Sequence, residues 1–149
     1  MSIVSANQGR TIVCRLKYES DLLDSIKEVA DQNNFASATF SAIGAVKKAS
    51  ISFYDQKEKR YREMTIDKPL EVLVCSGNVG KLGNETLVHG HITLSDAQGQ
   101  AWGGHLTKGT EVFAAELVMT ELRDVELVRE FDTVTGLNLI KIPPKEGPD

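Results

Sequence analysis

The stretch VHGHITLSDAQGQAWGGHL, residues 88–106, holds all three histidines of this 149-residue chain: His89, His91 and His105. Its reading decides how the neighbouring chain folds. Successive residues of a strand point to opposite faces. Over residues 86–94, Val88, Gly90, Ile92 and Leu94 therefore share one side, while Leu87, His89, His91 and Thr93 share the other. The first side is the apolar one, so the histidines stand away from the obvious core face. The connection DAQGQ predicts a hairpin with a three-residue loop, Ala97-Gln98-Gly99, in which glycine takes the left-handed position. Closing Asp96 against Gln100 sets His91 opposite His105 and His89 opposite Thr107. Opposed β-carbons lie about 5 Å apart, close enough for imidazoles to converge on one ion. A register shifted by one residue would turn His105 to the wrong face.

His89, His91 and His105 are accordingly the candidate metal ligands, with zinc the expected ion. A hydrogen-bonded polar cluster is the alternative. Metal binding needs neutral imidazoles and is expected to weaken as pH falls through about 6.5. Gly103 shares the face of His105 and leaves space beside the cluster, whereas Trp102 and Leu106 read as core. If a two-residue turn at Gly109-Thr110 joins the next strand, Glu116 faces Gly103 on the histidine side. Glu116 is then the candidate catalytic base, fourth ligand or partner of a ligand.

Outward from the hairpin, residues 11–18 read as a strand, and Ser20 reads as the cap of a helix over DLLDSIKEVADQNN. Leu22, Leu23, Ile26, Val29 and Ala30 form its apolar stripe, and Asn33-Asn34 end it. Strands are predicted over residues 37–43, 49–54, 60–66, 70–75, 86–94, 100–107, 112–120 and 137–142. Gly44, DQKEK, DKP, GNVGKLGN, DAQGQ and KGT separate them as turn signals. The fold class is α/β (α+β): a largely antiparallel sheet with a helix packed on one face, in a single domain. Residues 1–9 read as an N-terminal tail and 143–149 as a flexible C-terminal tail.

Apolar residues make up 41% and charged residues 26%, the balance of an ordinary globular protein long enough to bury its own core. Residues 1–9 lack the apolar segment of a secretory signal, and no stretch approaches a membrane span, so a cytoplasmic protein is expected. Cys14 and Cys75 sit in apolar runs and read as reduced, packed thiols. A net charge of −4 exerts no general pull toward nucleic acid. The short basic clusters VKKAS (46–50) and KEKRYR (57–62) read as solvated turn and strand edge. Residues 112–119 are apolar on both faces, with Val112, Ala114 and Val118 on the side of Glu116 and Phe113, Ala115, Leu117 and Met119 opposite. Such a strand must be covered twice. One helix covers part of one face, which leaves the histidine face for a neighbouring subunit.

EVLVCSGNVG, LVHGHITLSDAQGQAWGGHLTKG and VFAAELVM together resemble the PPC domain, named for plants and prokaryotes conserved. The matching positions are Ser76-Gly77-Asn78, His89, His91, Gly99, Gly103-Gly104-His105-Leu106, Gly109 and Glu116, with SAIGAVKKASISFYD resembling the family's first strand pair. The resemblance spans about residues 10–142. It implies a homotrimer and histidines that can carry zinc in prokaryotic members. It implies no known reaction, so the chain reads as a stand-alone, metal-binding module, with a zinc-dependent hydrolase or lyase as the alternative. Plant members bind AT-rich DNA through hooks that precede the domain. This chain has no Arg-Gly-Arg-Pro hook, and Lys68-Pro69-Leu70-Glu71-Val72-Leu73 stands where plant members have a Gly-Arg-Phe-Glu-Ile-Leu stretch. Weak or no direct DNA binding follows, and no membrane partner.

Overall fold

The computed structural model describes residues 3–141. Strand β1 (Asn7–Arg15) leads to helix α1 (Leu22–Gln32). The strands β2 (Ala38–Asp55), β3 (Arg60–Ile66), β4 (Leu70–Leu82), β5 (Glu85–Ser95), β6 (Ala101–Leu106) and β7 (Glu111–Arg123) follow, and a hairpin of β8 (Arg129–Asp132) and β9 (Leu137–Ile140) closes the described chain. The main sheet is antiparallel, in the order β1-β7-β2-β4-β5-β6, with β3 on β2. This is the expected single domain, a largely antiparallel sheet with one short helix. No helix among the described residues is long and apolar enough to cross a membrane.

The helix forms where its apolar spacing and its cap agree. Leu22, Ile26 and Ala30 recur every four residues and are fully buried. Burying Leu22 and Ile26 contributes about 1.5–3 kcal/mol each. The cap is Asp21 rather than Ser20: its carboxylate accepts from the Asp24 backbone N–H and also from the Gly109 N–H. Ser20 instead donates its hydroxyl to the Lys17 carbonyl. A carboxylate at the helix start meets both the unpaired N–H groups and the positive end of the helix dipole.

Strand β2 unites two segments that the sequence separates at Gly44. Gly44 does not turn the chain but lies within the strand, at φ +139°, where the β2–β4 register shifts. A β-carbon there would stand 2.2 Å from the Ala114 carbonyl oxygen, so only glycine lets β7 come this close. The first half of β2 pairs with β4 and β7, and its last part pairs with β3 and touches β6 through Ile51 and Ser52. Strands β2, β4, β5 and β6 thus close into a ring around Phe40, Ile51, Val72, Cys75, Ile92, Leu94 and Leu106, all buried.

Other boundaries move for similar reasons. GNVGKLGN is largely strand: β4 runs on to Leu82, and the turn falls at Gly83 and Asn84, with Leu82 opposite Glu85. Strand β1 begins at Asn7, inside the stretch expected to be a tail. The final predicted strand is β9, ending at Ile140, and its partner β8 was not foreseen. Ile142 and the predicted tail 143–149 lie outside the described residues.

In β7 the expected facing fails at Phe113. Ala45 pairs with Ala114 and Val46 with Val112, leaving Phe113 as the extra residue of a bulge. The bulge turns Val112 inward with Ala115, Leu117 and Met119, and leaves Phe113 57% exposed.

Candidate metal centre

The hairpin places the histidines as the alternation predicts. Gly99 adopts φ +78°, its N–H donates to the Asp96 carbonyl, and the Asp96 N–H donates to the Gln100 carbonyl. The Asp96 carboxylate accepts from the N–H groups of Gln98 and Gln100, locking the loop. With that turn fixed, His91 pairs directly with His105. His89 pairs with Asn78 of β4 on its other side; the β5–β6 ladder does not extend to the expected His89–Thr107 pair. Gly104 lets β6 close on β2, since a β-carbon there would lie 2.9 Å from the Ser52 carbonyl oxygen. His105 is thereby held beside Ser52 on the outside of the ring.

The three rings converge. Their centroids are 5.0 Å apart for His89 and His105, 5.4 Å for His89 and His91, and 5.6 Å for His91 and His105. One ring nitrogen from each lies within 4.8 Å of the others. Three nitrogens about 2.0–2.1 Å from one zinc ion sit somewhat closer together than that, a difference small side-chain rotations can close. His105 is pushed down to about 4, first by burial and then by the charges of His89, His91 and Arg129. Burial, followed by the Arg129 and His91 charges, also lowers His89. Both imidazoles therefore stay neutral near pH 7, the form that ligates a metal. The cluster could hold a metal ion.

Two residues that sequence reasoning missed complete the surroundings. Tyr61 of β3 lies over His105, with ring centroids 5.1 Å apart. Arg129 of β8 is only 6% exposed and donates from Nη2 to the Asn78 side-chain oxygen at 2.8 Å and from Nη1 to the Asn138 carbonyl at 3.0 Å. Tyr61, His89, His105, Arg129 and the start of β9 line a cavity of about 280 Å³. Neither residue carries a local signal in the sequence, because each reaches the site through a long-range pairing.

Glu116 is not part of this constellation. Strands β6 and β7 do not form a hairpin: β6 pairs with β5 and β2, while β7 pairs with β1 and β2. Glu116 instead lies opposite Arg15 and Ile43. It stands three strand spacings from β5, about 14 Å away. The residue does face outward as expected, but its assumed strand neighbour was wrong.

The sequence profile of the Plants and Prokaryotes Conserved (PCC) domain matches residues 3–123, and the chain belongs to that family. The match stops short of β8 and β9, so Arg129 lies outside it. In structure the chain is similar to a metal-containing protein from Archaeoglobus fulgidus, with a TM-score of 0.90, 37% identity, and coverage of 95% of this chain and 99% of that one. It is also similar to a plant- and prokaryote-conserved protein from Pyrococcus horikoshii, with a TM-score of 0.88, 30% identity, and coverage of 95% and 97%. Among curated proteins it is 32% identical over 135 residues to the bifunctional protein GlmU of Synechococcus sp. (strain JA-2-3B'a(2-13)). That stretch is 89% of this chain and 20% of GlmU, so the chain spans about a fifth of the length of the curated relatives it matches.

Proposed function

We propose that this PPC-domain protein is a zinc-binding module that assembles as a homotrimer, with His89, His91 and His105 as the three protein ligands. The observation that carries the reading is the convergence of three ring nitrogens within 4.8 Å on one sheet face. The similarity to a metal-containing protein from A. fulgidus supports it. Among the described residues, these three histidines form the cluster that could hold a metal, a set that leaves one position of a tetrahedral ion open. The two free thiols, Cys14 and Cys75, suit a cytoplasmic setting, and Cys75 is pushed up to about 12 by burial, which makes it inert.

Direct DNA binding is not the favoured role. The basic clusters are partly paired locally: Lys47 with Glu19 and Glu111, Lys48 with Glu111, Arg60 with Glu58, and Arg62 with Asp55 and Glu58. The net charge of −4 also gives the chain no general pull toward the phosphates of a duplex.

A second reading, a zinc-dependent hydrolase or lyase, is favoured by the 280 Å³ cavity beside His89 and His105. A bound zinc ion would supply Lewis acidity and a water of pKa ~7. Glu116 is too distant to serve as its base, and no carboxylate lines the cavity among the described residues.

Elemental analysis of protein purified without chelators tests the metal reading. One zinc per chain is expected, restored by titration after stripping. Native protein that is metal-free and takes up no zinc would refute it.

A further inference from the structure

Among the described residues, Arg129 is a buried cation with only neutral company. Its guanidinium donates to the Asn138 carbonyl and the Asn78 amide oxygen, and its Nε has no partner among the described residues. Among the described residues no carboxylate forms an ion pair with it. Burying an uncompensated charge is costly, and structures generally keep such a group where something neutralises it. The need grows if zinc sits on three neutral imidazoles close by, because the metal adds two positive charges and the lining adds no negative one.

The site also has a shape. The cavity of about 280 Å³ runs between His89, His105, Tyr61 and Arg129 and is walled by Leu87, Val88, Leu137 and Leu139. That volume is near the lower end for small-molecule pockets, about 300 Å³. One end is cationic and hydrogen-bonding, and the walls are aliphatic. Tyr61, whose ring lies 5.1 Å from that of His105, places a phenol at the cavity wall. Asn78, in the Ser-Gly-Asn motif that metal ligation leaves unexplained, pairs across the ladder with His89 and holds Arg129 beside it.

We propose that this cavity binds a small aliphatic carboxylate, its anionic end held by Arg129 and directed at the open position of a metal on His89, His91 and His105. The proposal rests on the metal reading for its second contact only. A planar guanidinium with unused donors matches a carboxylate better than it matches a spherical anion, and the aliphatic walls suit a short hydrocarbon tail better than they suit free phosphate.

Butyrate titrated into zinc-loaded protein by calorimetry is the test, with cobalt-loaded protein reporting the metal's coordination through its visible spectrum. Saturable binding of one butyrate per chain and a changed cobalt spectrum are expected. Arg129→Gln should take up zinc as the wild type does and bind butyrate at least about tenfold more weakly, the scale of one charge-assisted hydrogen bond. Arg129→Lys, which keeps the charge, should fall between them and serves if the glutamine variant does not fold. Zinc-loaded wild type that shows no saturable butyrate binding overturns the proposal, as does undiminished binding by a folded Arg129 variant. If the wild type takes up no zinc, the metal reading fails separately. Butyrate is then titrated into the metal-free protein, where Arg129-dependent binding upholds the carboxylate site and its absence overturns it.

Discussion

One row of residues crosses the outer face of the sheet and changes character from end to end. Val13 of β1 pairs with Val118 of β7, Val118 with Ser41, Ser41 with Ser76, Ser76 with His91, and His91 with His105. At the β1–β7 end the row is aliphatic and open: Val13 is 71% exposed and Val118 41%. Ile43 and Phe113 extend that exposed patch. At the β5–β6 end the row is imidazole, partly covered by Tyr61 and the β8–β9 hairpin. All these positions point outward from the same sheet, so alternation alone does not separate them. What separates them is chemistry: valines gain by leaving water, whereas neutral imidazoles gain by meeting a cation. The first end suits contact with another copy of the chain, the second suits a ligand.

The largest expected effect breaks the imidazole end alone. His105→Ala removes one of three ligands and should weaken zinc binding by more than the 10–100-fold typical of losing a partner behind a ligand. Val118→Ser, in the same row, should leave zinc affinity unchanged. Chelator competition measures both. Equal losses in the two variants would mean that the row does not divide as described.

The converse break comes next. Val13→Asp with Val118→Asp places charges on the aliphatic end, where a buried subunit contact would have to desolvate them. Light scattering at micromolar concentration should give a trimer for the wild type and about 16.3 kDa, the chain mass, for the double variant, with zinc still bound by the latter. A wild-type mass already at that of one chain would remove the proposed assembly.

What could be read from the sequence follows the same division between local and distant determinants. The β5–β6 hairpin was legible because five consecutive residues, DAQGQ, specify both the loop and the register. Helix α1 was legible because its apolar spacing is periodic, although Asp21 displaced Ser20 as cap. The neighbours of β7 were not legible. Its pairing joins segments 101 to 116 positions apart in β1 and 63 to 83 apart in β2, and the bulge at Phe113 appears only against β2. Arg129 escaped notice for the same reason: β8 is four residues long, and its contact with Asn78 spans fifty-one positions. The apolar run within 112–119 correctly signalled a strand with an exposed greasy side carrying Ala114 and Val118 beside Glu116; only Val112 and Phe113 exchanged faces, at the bulge.

A smaller effect sharpens the imidazole end. His89 is lowered and His105 is lowered to about 4, both chiefly by burial. In the unfolded chain an imidazole titrates near 6.5. Between those values the unfolded state binds more protons than the folded one, so stability rises with pH there. Metal-free protein should hold its full stability above about pH 6.5 and lose part of it as pH falls toward 4. Denaturant melts across that window read the effect, and the slope should shrink in His105→Ala. Proton competition for zinc at His105 should likewise set in well below the pH of an ordinary imidazole.

The smallest expected effect concerns Glu116, which shares the outer face but sits at the other end of the comparison. Opposite Arg15 and Ile43, it belongs with the aliphatic patch rather than with the histidines. At about 14 Å, in a surface setting of high dielectric, one carboxylate attracts a divalent ion by roughly 0.6 kcal/mol before screening. Physiological salt, with a Debye length of about 8 Å, reduces that several-fold. Glu116→Gln should therefore change zinc affinity by less than about twofold, where a direct ligand or its immediate partner would cost about tenfold or more. Chelator competition in low and physiological salt decides the point. A tenfold loss in Glu116→Gln that persists in salt would place the carboxylate at the metal after all, which a single copy of this fold cannot do; only a second copy, bringing its own β7 against the histidine end of the first, could supply it.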